Sequence, residues 1–143
     1  MSTSRTDKRI VEIWFAGDLL YGKDSDGNVV SQSLLWYPEL KDASDLERSK
    51  YTFGFEGIHW RALDVDISYE SFFYSDAIPS PMQRFFLEHR EINVAEFAKR
   101  IGINATLLRN YINGFKVPSK EREKFILREI VKMGKEYLEV TEI

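Results

Sequence analysis

The sequence predicts a mixed α+β chain: a small antiparallel sheet with helices, followed by an all-α domain. Three observations carry this. Between Ile10 and Ser68, short apolar runs alternate with turn residues, as strands do. From Met82 onward, apolar residues recur every three or four positions, as on one face of a helix. The sign of the charge also reverses between the two stretches. Residues 1–78 carry eight Lys and Arg against fourteen Asp and Glu, and residues 79–143 carry twelve against nine; a net charge of −3 therefore combines a first part at −6 with a second at +3. The reversal falls at Pro79-Ser80-Pro81, whose prolines neither continue a helix nor donate to a sheet ladder. Two domains are expected, 1–78 and 79–143.

A chain of 143 residues that is 43% hydrophobic and 14% aromatic can bury one modest core or two small ones. It has no cysteine, so it builds no disulfide and no thiolate zinc site, which suits a reducing cytoplasm. Two histidines leave little for metal chemistry. No apolar run approaches the roughly 20 residues that span a bilayer, and the start, residues 1–9, lacks the apolar stretch of a secretion signal. The expectation is a soluble, cytoplasmic protein with no membrane contact, cofactor or metal.

In the first half, residues 10–16 read as a strand with Val11, Ile13 and Phe15 on one face and Ile10 and Trp14 on the other. Leu19-Leu20-Tyr21 and Val29-Val30 flank Asp24-Ser25-Asp26-Gly27-Asn28, whose Asp-Gly pair supplies the positive φ of a hairpin. Asp24, Asp26 and Asn28 stand at alternate positions as in a calcium loop, but Val29 occupies the place of the obligatory Gly and Leu35 that of the bidentate Glu. Ser44 and Glu47 have capping-box spacing. Tyr51-Thr52-Phe53-Gly54-Phe55 alternates as a strand, and Ser68 is placed to cap a helix bearing Phe72 and Phe73.

The run from Leu35-Trp36-Tyr37-Pro38-Glu39-Leu40 through Gly57-Ile58-His59-Trp60 to Leu63-Asp64-Val65-Asp66-Ile67-Ser68 resembles a bacterial family of small domains of unknown function. That family pairs a short antiparallel sheet with helices; Arg61 stands where its signature has Pro. The resemblance implies a fold and no activity. His59, Asp64 and Asp66 form the one cluster suggestive of acid–base or metal chemistry. A histidine beside a tryptophan, followed by acids near a helix start, reads better as a packed ring with capping carboxylates. No catalytic residue is expected, and no enzyme.

In the second half, Met82, Phe85, Phe86 and His89 form one helical stripe, with Ser80 as cap. Asn93 caps a helix carrying Val94, Phe97, Ala98 and Ile101 inward, and Gly102 stops it. Ile103 folds back as a plug, and Asn104 caps a third helix with Leu108, Tyr111 and Ile112 turned inward, ending at Asn113-Gly114. Two short helices joined by a three-residue turn containing Gly make a helix-turn-helix. The stretch from Val94 to Ser119 resembles the lambda-repressor-like family, especially its antitoxin and small-regulator branch with a Tyr-x-x-Gly-x-x-x-Pro-Ser ending.

That resemblance implies double-stranded DNA as partner, read in the major groove by the third of these helices. Ala105, Thr106, Arg109 and Asn110 point outward, Arg109 suited to guanine and Asn110 to adenine. Asn113 and Lys116 fall against the phosphates, with Lys99 or Arg100 as weaker contacts. The sequence departs from the family at Ala105, Val94 and Leu107, where polar residues are usual. Residues 120–140 form a long helix in which Ile126, Ile130, Met133 and Tyr137 make a stripe that Phe125, Leu127, Val131 and Leu138 widen. A reader of palindromic DNA needs a two-fold partner, and this helix suggests a homodimer. The function expected is a DNA-binding transcriptional regulator or antitoxin-like protein. The alternative is a protein-interaction module, an antitoxin holding a toxin partner, whose helix-turn-helix is only a scaffold.

Overall fold

The computed structural model describes residues 9–142. The polar start up to Lys8, where no secretion signal is expected, lies outside the described residues. The chain divides into two compact units between Pro79 and Ser80, each with its own apolar core.

The first unit holds two small antiparallel sheets, where the apolar runs suggest one. β1 (Ile10–Ala16), β2 (Leu19–Asp24) and β3 (Val29–Ser33) lie in the order β1-β2-β3, and β4 (Thr52–Phe53), β5 (Gly57–Trp60) and β6 (Val65–Ser68) in the order β4-β5-β6. Two single-turn helices, α1 (Pro38–Lys41) and α2 (Asp45–Arg48), come between them in the chain. Leu20, Leu34, Leu40 and Ile58 are completely buried, beside Trp60.

β1 does not alternate as expected. Its pairing with β2 shifts register between Ile10 and Glu12. The extra residue of such a bulge re-aims the side chains around it, so Ile10 and Ile13 both enter the core while Val11 is 55% exposed. The β2–β3 hairpin forms over the expected turn: Asp24 Oδ1 accepts from the backbone N–H groups of Asp26 and Asn28, both at 2.9 Å, and Gly27 takes φ 88°. Ser44 and Glu47 complete a capping box on α2, and the hydrogen bonds from Ser44 hold the Glu47 carboxyl below the usual carboxylate range.

Two elements differ from the sequence pattern. The strand expected over residues 51–55 stops at Phe53, because the Gly54 N–H turns back to the Gly57 carbonyl at 2.7 Å, and Phe55 is left 86% exposed. The helix expected after Ser68 is a single 3₁₀ turn, Glu70–Phe73. Ser68 Oγ does accept from the Ser71 N–H at 3.1 Å. The Ser71 hydroxyl, however, donates to the Ser68 carbonyl at 2.7 Å and accepts from Gln32 Nε2 at 3.0 Å, a local bond that competes with helix continuation. Tyr37 donates its hydroxyl to Gln32 Oε1 at 2.7 Å, so one polar chain links Tyr37, Gln32, Ser71 and Ser68.

The second unit consists of α3 (Pro81–Glu88), α4 (Val94–Ile101), α5 (Ala105–Asn113) and α6 (Lys120–Leu138). Each begins on a polar cap: Ser80, Asn93, Asn104 and Ser119 accept from the third helical residue's N–H. α4 ends where Gly102 enters the left-handed region at φ 77°. The Ile103 N–H then reaches the Ala98 carbonyl at 2.9 Å, the six-to-one bond of a Schellman ending, and Ile103 is buried. Met82, Ala98, Leu108 and Ile126 are completely buried, and Gln83 Nε2 donates to the Tyr111 carbonyl at 3.2 Å, tying α3 to α5. His89 follows the last residue of α3 and lies outside the buried core that Met82 and Phe86 enter. Among the described residues, no helix is long and apolar enough to cross a membrane.

Candidate nucleic-acid interface

α5 owes its orientation to residues it buries. Leu108, Tyr111 and Ile112 enter the core, and the 3.6-residue period turns the positions between them outward. Thr106, Arg109 and Asn113 are exposed along one row, and Lys116 is exposed just beyond it. Ala105 and Asn110 are half-buried, and Ala105 packs with Leu107 against the core. The expected contact set therefore divides: Thr106, Arg109, Asn113 and Lys116 stand free for a ligand, Asn110 lies at the edge of the row, and Ala105 belongs partly to the packing.

The turn after α5 is fixed by its backbone. Gly114 takes φ 82°, and the Lys116 N–H donates to the Asn110 carbonyl at 3.2 Å, which places Lys116 close to the end of the row. Residues 102–119 contain no Asp or Glu, so no carboxylate within the segment offsets Arg109 and Lys116. Of the weaker expected contacts, Lys99 is exposed, whereas Arg100 pairs with Glu136 at 2.7 Å. Sequence reasoning overlooked Phe115 and Val117, which flank Lys116 and are 82% and 84% exposed. The available signal is their position past Gly114, outside the helical period that assigns apolar residues to the core.

The cluster in the first unit has different geometry. His59 and Asp66 are cross-strand partners on β5 and β6, and His59 Nδ1 stands 2.6 Å from Asp66 Oδ1. Asp64 closes a 3₁₀ turn (Arg61–Leu63) in the left-handed region at φ 53°. The expected packed ring and capping carboxylates do not form: the His59 ring is partly exposed beside the exposed Asp66, and Asp64 sets the turn through its backbone. Among the described residues, no group of three or more His, Asp and Glu is arranged to hold a metal. Gly57 is required at this hairpin, since a Cβ there would collide with the Ile67 carbonyl oxygen.

Residues 10–77 match the model of a family described as a protein of unknown function, DUF2442. The first unit is therefore similar to a domain of unknown function. No curated protein and no solved structure matches the chain.

Proposed function

We propose that the second unit is a lambda-repressor-like helix-turn-helix domain and that the chain binds double-stranded DNA in the cytoplasm as an antitoxin-like transcriptional regulator. α4 is the supporting helix, the turn at Gly102 sets the angle, and α5 is the recognition helix presented to the major groove. The observation that supports this is the exposed row of Thr106, Arg109, Asn113 and Lys116 in a segment without an acidic residue. Arg109 offers a planar fork of donors that matches the O6 and N7 acceptors of guanine, and Asn110 at the row's edge can pair with adenine. Asn113 and Lys116 then meet the phosphates, which position the helix and supply the salt-dependent part of the affinity.

A gel shift on the DNA upstream of the protein's own reading frame, repeated over a range of salt, tests this. Binding that weakens steeply with salt is expected; absence of binding at low salt, where phosphate contacts are strongest, removes the proposal. Replacing both Arg109 and Asn110 by Ala relaxes sequence preference if α5 is the reading helix.

A second reading has one observation in its favour. Phe115 and Val117 present apolar surface beside Lys116, and exposed apolar groups suit a protein partner better than a phosphate backbone. On that reading the chain is an antitoxin that holds a toxin, and the helix-turn-helix is a scaffold. Co-expression with the product of the adjacent reading frame separates the two, since only this reading expects a complex that is lost in a Phe115→Ser/Val117→Ser variant with unchanged far-UV circular dichroism.

A further inference from the structure

Gly134 lies within α6, and no contact inside the unit accounts for it. Glycine is the least favourable helix-interior residue after proline, yet a Cβ built at Gly134 meets nothing within 4 Å. Gly17, Gly27 and Gly102 are equally unobstructed, but each holds a positive φ; Gly134 does not. Gly134 does stand at the edge of a groove of about 550 Å³ between α4 and α6, a volume within the range of about 300–1,000 Å³ that small-molecule sites occupy. A missing Cβ leaves that groove open down to the α6 backbone, and close approach of a ligand to backbone is one of the uses of glycine.

The groove has an apolar lining and a charged mouth. Phe85, Ile92, Phe97, Ile130 and Met133 line it, and Tyr137, 60% exposed, adds an aromatic wall. Its polar side chains are His89, Glu91, Asn93, Glu96 and Arg100, and most of them are already engaged. Arg100 Nη2 donates to Glu136 Oε2 at 2.7 Å. His89 Nδ1 stands 3.3 Å from Glu91 Oε2, and Asn93 Oδ1 accepts from the Glu96 N–H at 3.1 Å. The Glu96 side chain is exposed, and its carboxylate has no ion-pair or hydrogen-bond partner among the described residues. Arg100 and His89 thus each face a carboxylate already, and the charge left over at the mouth is negative.

We propose that this groove binds a small organic cation, an arylalkyl ammonium. Its apolar body lies on the groove lining and against the α6 backbone at Gly134, and its ammonium group is held at the mouth by Glu96. A carboxylate beside aromatic faces is the setting an ammonium prefers, since both the charge and the ring quadrupole attract it. An anion of the same shape would have to displace Glu136 from Arg100 and would meet Glu91 and Glu96 as like charges. A neutral ligand would leave the Glu96 carboxylate without a counter-charge. No α5 residue lines the groove, so the site goes beyond the proposed DNA reading and is tested without DNA.

Titration of the full chain with phenylbutylamine, followed by methyl NMR, provides the test. Shifts at Ile130 and Met133 with a Kd of about 1 mM or tighter are expected for a ligand of that size; no shift there at about 20 mM overturns the proposal. Phenylbutyrate, which has the same body and the opposite charge, is expected to bind at least about tenfold more weakly, and equal or tighter binding overturns the assignment of a cation. Glu96→Gln is expected to lower the affinity for the amine to that for neutral phenylbutanol; an undiminished preference for the amine overturns the proposal. Gly134→Leu raises the helix propensity of α6, so its melting temperature should hold or rise while amine binding falls at least about tenfold. Undiminished binding by that variant shows that nothing lies against the backbone at Gly134 and overturns the proposal.

Discussion

Trp60 donates its indole N–H to the backbone carbonyl of Arg48 at 2.9 Å, and Arg48 itself reaches back to the end of α1. Its Nε and Nη2 donate to the Leu40 and Lys41 carbonyls at 3.0 and 2.7 Å, while its guanidinium stands 4.8 Å from the Phe15 ring centroid. Carbonyls at a helix end lack intrahelical partners, and here an arginine and a tryptophan supply them. Trp60→Phe keeps most of the ring and leaves the Arg48 carbonyl without its donor, at a cost of about 1–3 kcal/mol. Trp60→Ala also opens a cavity and is expected to cost about 3–5 kcal/mol. All three tryptophans precede Pro79, so urea unfolding followed by indole fluorescence reads the first unit. A Trp60→Phe chain as stable as the parent would show the indole N–H to be idle.

The His59 ring lies against Gly54, where a Cβ would come 2.5 Å from Nε2. Gly54→Ala is therefore expected to displace the ring and break its 2.6 Å contact with Asp66. The displacement has nothing to act on once the ring is gone. In a double-mutant cycle, Gly54→Ala should destabilise the parent chain and have little effect in a His59→Ala background, a coupling of about 0.5–3 kcal/mol. Additive losses would mean that Gly54 is needed for its backbone alone.

Burial pushes the Tyr37 hydroxyl above its ordinary value of 10.0, with hydrogen bonding to Ser71 working in the opposite direction. The unfolded chain releases this proton near pH 10, and the folded chain holds it. The contribution of Tyr37 is therefore complete below pH 10 and is lost as pH rises through the raised folded value. Tyr37→Phe removes the bond to Gln32 and is expected to cost about 0.5–1.5 kcal/mol at neutral pH. Urea midpoints of the two chains should converge above about pH 10; a constant gap would place the tyrosine in solvent.

What is legible in the sequence is what depends on near neighbours. Ser80, Asn93, Asn104 and Ser119 cap the helices they precede, because a cap needs only its own side chain and an N–H three residues on. Arg109 and Asn113 point outward for the same reason, since the helical period is local. The bulge beside Val11, the early end of β4 and the loss of a helix after Ser68 all depend on partners far along the chain: the register with β2, the Gly57 carbonyl and Gln32. Helix position and the family resemblance together turn Ala105 towards the groove, whereas packing in the first turn of α5 draws it towards the core with Leu107. Nothing in the spacing predicts that Tyr137 is exposed, because it continues the stripe that buries Ile126 and Met133.

Gly102 provides a clean measure of backbone cost, since a Cβ there meets nothing within 4 Å while φ is 77°. Gly102→Ala is expected to lower the stability of the second unit by about 1–2 kcal/mol, the penalty of a left-handed conformation for a residue with a side chain. Gly102→Asn should lose less, because asparagine tolerates that region. Thermal melting followed by far-UV circular dichroism, which the long α6 helps to dominate, ranks the three. Equal melting of the Ala and Asn variants would show that the loss comes from something other than φ.

Arg109 and Lys116 are both exposed cations on the α5 side of the second unit, yet they should fail differently. In the proposed complex Arg109, exposed in the outward row of α5, is the side chain whose donors meet base edges. Arg109→Ala is expected to cost about 1–3 kcal/mol on the preferred DNA and much less on unrelated sequences, with specificity relaxed at one position. Lys116 follows the helix end, held there by its own N–H on the Asn110 carbonyl at 3.2 Å, and in the same proposed complex it meets the phosphate backbone. Lys116→Ala should weaken binding by a similar factor on every sequence and reduce the slope of log affinity against log salt by about one. Titrations of both variants on preferred and scrambled duplexes at several salt concentrations separate the two roles. If Lys116→Ala alters sequence preference while Arg109→Ala alters only the salt slope, α5 meets DNA in the reverse sense and the row from Thr106 to Asn113 is not the reading face.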